Sequence, residues 1–175
     1  ASAVLNDLGD HTVGKNVRML SYESTYYCMN NRAQSYWEDC DIHGTVDFIC
    51  GGGDIRIHNS TLSLEPRFTN GGGTRMIVAP RTLTKFGHVF DNCKVVDLAQ
   101  GKGDWSFGRT WSNQPMAVYM NTTLDEFAEN TLVSTRWTEE GKTGTDPLVF
   151  AEYNTMDING TNITPETNTI KIKTS

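Results

Sequence analysis

The chain alternates short runs of apolar, β-branched and aromatic residues with turn residues, and no stretch carries the period of a long amphipathic helix. A small unit recurs along it: Asn or Asp, a short side chain, any residue, then an aliphatic. It stands at Asn16-Val17-Arg18-Met19, Asp39-Cys40-Asp41-Ile42, Asn59-Ser60-Thr61-Leu62, Asn92-Cys93-Lys94-Val95 and Asn121-Thr122-Thr123-Leu124. Successive markers lie 23, 20, 33 and 29 residues apart. A period in the twenties with elongations predicts stacked coils with loops inserted at one corner. Short runs such as Val89-Phe90 and Val118-Tyr119 suit parallel strands stacked about 4.8 Å apart. A β-sandwich would not require the repeated unit, and a leucine-rich repeat needs a stricter leucine pattern. The expected fold class is all-β, a parallel β-helix, as a single domain over residues 1–175.

The longer steps predict loops over 65–74, with Pro66 and Gly71-Gly72-Gly73, and over 99–105. Regularity fades after Asp125, with a mixed polar stretch over 127–146 and an Asn/Thr-rich tail from Asn154. Inserted corners are where a solenoid builds a binding cleft.

Composition narrows the function classes. A formal charge of −6 without a basic block argues against a nucleic-acid binder. Any anionic substrate must therefore be held by local Arg or Lys. Cys28, Cys40, Cys50 and Cys93 show no C-x-x-C spacing, so neither a disulfide scaffold nor a zinc site is expected. Cys40 and Cys93 follow repeat markers, which favours packing over chemistry. No run approaches the ~18 apolar residues of a membrane span. Residues 1–5 read as the middle of a strand with no signal peptide, so a mature form or a fragment is expected.

One stretch concentrates candidate chemistry: Asp41 to Asp54, DIHGTVDFICGGGD. Asp47 sits in its apolar centre, and a charge there must face water or be paired. Asp47 lies eight residues after marker Asp39, and Ser24 eight after marker Asn16, so the two should stack on adjacent coils. Arg109 lies 12 residues before marker Asn121, as Asp47 lies 12 before Asn59, so it is expected on the same face. An arginine beside Asp47 would keep it ionised and oriented, as a nucleophile or anchoring acceptor requires. Tyr26, Tyr27, Phe48, Trp105, Phe107 and Trp111 could supply flat walls for sugar rings.

Several segments then resemble one family in order. Gly44-Thr45-Val46-Asp47-Phe48-Ile49 resembles the GxVDFIFG segment of pectin methylesterases, with Cys50 replacing phenylalanine. Phe107-Gly108-Arg109-Thr110-Trp111 resembles LGRPW, with Thr110 replacing proline. Ser21-Tyr22-Glu23-Ser24-Thr25-Tyr26-Tyr27 stands where the family has GYQDTxY. Tyr119-Met120-Asn121-Thr122 resembles VYMNT, and Glu152-Tyr153-Asn154 resembles EYNN. The resemblance implies a right-handed parallel β-helix, here the C-terminal part of a longer domain whose first coils and N-terminal cap are missing. It implies hydrolysis of methyl esters of polygalacturonate, with Asp47 attacking the ester carbonyl, Arg109 hydrogen-bonded to it and Trp111 lining a sugar subsite. It implies no metal or cofactor, and an extracellular or periplasmic monomer whose partner is pectin or a related uronate polymer rather than nucleic acid or membrane.

The family's acid/base aspartate falls at Ser24 and an oxyanion-hole glutamine at Glu23. Serine cannot protonate departing methanol as a carboxylic acid does, and a glutamate repels a developing oxyanion unless protonated. Glu23 could act as a displaced acid/base, although strand alternation would turn it to the opposite face. Ser24 with His43 and a carboxylate is a further arrangement. The bland reading of Asp47 and Arg109 is a pair pinning two coils. Candidate residues are thus Asp47, Arg109, Ser24 and Glu23 for catalysis, and Trp111, Phe48, Tyr26 and Phe107 for substrate. Two alternatives remain: a weak or inactive pectin-binding relative, and another β-helix lyase or hydrolase using Asp39, Asp41 or Asp54. His11, His58 and His88 read as surface or core histidines. The sequon asparagines Asn59 and Asn121 coincide with markers and are expected to point inward.

Overall fold

The computed structural model describes residues 1–67, 73–138 and 149–166. Gly71, Gly72 and most of the expected polar stretch after Thr138 lie outside the described residues.

Three parallel sheets run side by side, each taking one strand per coil. The first holds Val4–Asn6, Tyr26–Cys28, Ile49–Gly51, Arg75–Pro80 and Trp105–Gly108. The second holds Thr12–Lys15, Gln34–Glu38, Asp54–His58, His88–Asp91, Met116–Met120 and Val149–Tyr153. The third holds Arg18–Leu20, Asp41–Gly44, Thr61–Leu64, Lys94–Asp97 and Thr123–Leu124. Strands neighbour one another in chain order within every sheet, which is a parallel β-helix. One short helix, Glu126–Thr131, starts on the Asp125 side chain, which accepts from the Ala128 N–H. No helix among the described residues is long and apolar enough to cross a membrane.

The repeated Asn/Asp marker has a backbone cause. Asn16, Asp39, Asn59, Asn92 and Asn121 all have φ between 48° and 54°, at the corner between second and third sheets. That left-handed conformation costs other L-residues about 1–2 kcal/mol, whereas Asn and Asp adopt it more readily. Their side chains also join outside the barrel: Asn59 donates to Asp39 at 2.5 Å and Asn92 to Asn59 at 3.1 Å. The expectation that these asparagines point inward is therefore corrected. Asn59 is exposed and Asn121 half-buried, because the corner turns them to the surface while the following Ser60 and Thr122 go inside. Asn154 (φ 55°) is a sixth marker, donating to Asn121 at 2.9 Å. Its unit ends in Asp157 rather than an aliphatic, which hid it from the pattern.

Apolar ladders fill the interior. Met19, Ile42, Leu62, Val95 and Leu124 stack in register down the third sheet, and Trp37, Ile57, Phe90 and Tyr119 down the second. All are at least 95% buried, and each such side chain contributes roughly 1.5–3 kcal/mol relative to exposure. Cys28, Cys40, Cys50 and Cys93 are free and buried; burial pushes the Cys93 thiol up to about 11, so these are packing groups. His88 is fully buried and pushed down to about 4 by desolvation, a neutral core histidine.

Candidate active site

Asp47 owes its place to a second left-handed corner. Ser24 and Asp47 have φ of 53° and 48°, where the chain passes from the third sheet to the first. Tyr26 pairs with Ile49 and Glu23 with Val46, so Ser24 lies opposite Asp47, as the repeat spacing predicts. The next coil lacks this corner. Val78 is opposite Ile49, yet the Met76 N–H reaches the Thr45 carbonyl rather than that of Val46, so Asp47 occupies a one-residue bulge. Gly44 makes room beneath it: a Cβ there would stand 2.1 Å from the Phe48 Cβ.

The carboxylate is 8% exposed and gripped by Arg109. Nε donates to both carboxylate oxygens at 3.0 Å, and Nη2 donates to Oδ2 at 2.5 Å. Arg109 is not in the Asp47 column, however. Its N–H bonds the Val78 carbonyl, which places it opposite Ala79, beyond Cys50 and Tyr27. It stands on the expected face but in the neighbouring column, because residues 110–115 add length before Met116, and the long side chain spans the offset. Burial raises the Asp47 carboxyl above its usual range; Arg109 opposes this, Glu23 adds to it and Arg67 opposes it.

Glu23 is exposed, yet its charge is felt at Asp47. Ser24 is half-buried, and burial pushes the thiol of the nearby Cys50 up to about 12. His43 is committed elsewhere: Nδ1 lies 2.6 Å from Glu65 and Nε2 3.0 Å from Asp41, so it forms no hydroxyl–imidazole pair with Ser24. Asp39, Asp41 and Asp54 serve the corner ladder, the Arg18 ion pair and the 86–87 backbone respectively, and do not converge on one site.

Three expected substrate residues are corrected. Phe48, Tyr26 and Phe107 are 0% exposed. Strand alternation sends Tyr26 and Phe107 inward, where they pack edge-on to Trp37 and against Tyr119, respectively, and Phe48 joins the core just after the left-handed Asp47. Trp105 is likewise core. Tyr27 and Trp111 face outward instead, with rings 5.8 Å apart. Between Tyr27 and Arg109 the same column carries the small side chains Cys50 and Ala79, both buried. Arg81, which no sequence motif marks, lies 5.7 Å from the Tyr27 ring and 5.1 Å from that of Trp111.

A profile of the Pectinesterase family matches residues 1–166. The chain belongs to the pectinesterase family. Pectinesterase relatives include the probable pectinesterase/pectinesterase inhibitor 13 of Arabidopsis thaliana, 28% identical over 86% of this chain and 25% of its own length. Another is pectinesterase 2 of Citrus sinensis, 29% identical over 75% of this chain and 26% of its own length. The pectin methylesterase from Yersinia enterocolitica superposes with a TM-score of 0.74 at 23% identity, covering 90% of this chain and 55% of that one. A pectin methylesterase in complex with a hexasaccharide gives 0.70 at 23%, covering 89% and 52%. The likeness to these structures is one of fold. The chain spans roughly a quarter of the length of those two curated pectinesterases and about half of those structures.

Proposed function

We propose that this chain carries the ester-cleaving centre of a carboxylic ester hydrolase acting on methyl-esterified polygalacturonate or a similar uronate polymer, outside the cytoplasm or in the periplasm. The observation that carries this reading is the near-buried Asp47 carboxylate held by the Nε edge of Arg109 beside outward Tyr27 and Trp111. Membership of the pectinesterase family supports the same class.

In this reading an Asp47 oxygen attacks the ester carbonyl carbon, and the carbonyl electron pair moves onto its oxygen. Collapse expels the methoxy group, which takes a proton and leaves as methanol, with Asp47 acylated as a mixed anhydride. Water then loses a proton to a base, attacks the sugar-derived acyl carbon, and releases the uronate and the Asp47 carboxylate. Arg109 orients Asp47 and offsets part of its burial cost. The proton carrier is assigned to Glu23, which pairs with Val46, the residue before Asp47. Trp111 and Tyr27 offer the sugar a joint aromatic edge.

Ser24 supports a second reading, a weakly active or inactive pectin-binding relative, since the residue opposite Asp47 is a serine and supplies no carboxylic acid. Methanol release from methyl-esterified pectin separates the two. The first requires release by the wild type that Asp47→Ala abolishes; equal release from both proteins sinks it. The second requires retained binding with negligible release.

A further inference from the structure

We infer that Arg81 is a carboxylate-recognition residue that selects a free, de-esterified uronate at a sugar beside the ester being cleaved. This deepens the proposed function and rests on its placing of a uronate chain against Tyr27 and Trp111.

The argument begins with how firmly Arg81 is set. Its N–H bonds the Gly51 carbonyl at 2.9 Å, and its own carbonyl accepts from Asn113 Nδ2 at 3.3 Å. Its guanidinium packs against both the Tyr27 and Trp111 rings, contacts that favour a cation over an aromatic face. One donor, Nη2, bonds the Met29 carbonyl at 2.9 Å. The rest of the fork is under-used: Nε is buried with no hydrogen-bond partner among the described residues. Arg18, Arg56, Arg75, Arg109 and Arg136 each meet a carboxylate, whereas Arg32 and Arg67 form no ion pair among the described residues and neither packs on two aromatic rings. Arg81 meets no carboxylate among the described residues. A guanidinium has five N–H donors in a planar fork matched to a carboxylate, and an unmet buried donor costs free energy.

Its setting makes a ligand the natural partner. The chain carries a formal charge of −6, so its general field repels an acidic polymer and a local cation must hold it. Arg81 and Arg109 are set on neighbouring coils of the first sheet, the Arg81 N–H on the Gly51 carbonyl and the Arg109 N–H on the Val78 carbonyl, so Arg81 lies on the side of the sheet where Arg109 meets Asp47. A methyl ester there would offer a weaker, uncharged acceptor, so the preference is for the free acid.

The test is equilibrium binding of three oligomers to the full chain at low salt: unesterified oligogalacturonate, its fully methyl-esterified form, and a neutral oligogalactose. The wild type is expected to prefer the unesterified oligomer. Arg81→Gln should weaken that ligand about 10- to 100-fold and change the methyl-esterified one by roughly twofold or less, with Arg81→Lys intermediate because it keeps charge but loses the fork. Equal weakening of both ligands, or no acid preference in the wild type, overturns the inference. Unchanged binding of the esterified oligomer shows that the variant has folded. Because binding needs no turnover, an intact acid preference without methanol release would refute the proposed esterase while leaving this inference standing. Methanol release without acid preference would do the reverse.

Discussion

Arg109 reaches across the Ala79 coil to place Nε 3.0 Å from both oxygens of Asp47 and Nη2 2.5 Å from Oδ2. A bidentate guanidinium fixes both the charge and the rotation of a carboxylate, which a lysine cannot do. Arg109→Lys should therefore lower methanol release about 10- to 100-fold, chiefly in kcat, while thermal unfolding shifts by only a few degrees. A change confined to KM would assign Arg109 to substrate binding instead.

Two buried aspartates should respond oppositely to pH. Burial raises Asp47 despite Arg109, so the acid limb of kcat/KM should lie above the ordinary value of 3.8, and Arg109→Gln should move it higher. Asp97 is also pushed up by burial, but its two bonds to Arg75, at 2.5 and 3.0 Å, outweigh this and leave it lowered. Asp97 thus contributes stability that is present above its unfolded pKa and lost as pH falls through its native one. The contribution of Asp47 is complete below its unfolded pKa and lost as pH rises through its raised native value. Unfolding midpoints across about pH 3 to 7 should show Asp97→Asn destabilised mainly toward neutral pH. Asp47→Asn should lose the neutral-side penalty, and the same pH trend in both variants would contradict this assignment.

Phe107 and Trp111 stand four residues apart yet serve different ends. Phe107→Ala removes a fully buried ring and should cost about 3–5 kcal/mol of stability. Trp111→Ala should leave the unfolding midpoint nearly unchanged and raise KM roughly tenfold. Denaturant unfolding beside steady-state kinetics would resolve the two, and a comparable stability loss at Trp111 would make it a packing residue.

The corner ladder offers a backbone test. Asn59→Val forces a β-branched residue to φ 48° and removes bonds to Asp39 and Asn92, for an expected loss of about 2–3 kcal/mol. Asn59→Gly keeps the conformation and should recover roughly half of that loss. If both variants lose equally in urea unfolding, the side-chain bonds dominate and the conformational account fails.

Local chemistry determined the periodic part of this protein. Only Asn or Asp sits comfortably at a left-handed corner with a side chain able to bond its neighbour, so those residues mark the coils, and counting from them stacked Ser24 on Asp47. The marker failed at Asn154, where a polar Asp157 breaks the unit without breaking the coil. The tertiary structure decided what depends on facing and reach. Alternation within very short strands sent Tyr26 and Phe107 inward and left Tyr27 outside, the left-handed turn at Asp47 sent Phe48 into the core, and Trp111 faces outward from the segment after its strand. The added length at 110–115 displaced Arg109 from the Asp47 column, and only the length of its side chain restored the pair. Arg81 carries no motif, because its significance lies in two rings contributed by other coils, 54 residues before it at Tyr27 and 30 after it at Trp111. Stacking brings such residues together at the cost of sequence proximity, so a solenoid shows its period in the chain and assembles its cleft only when folded.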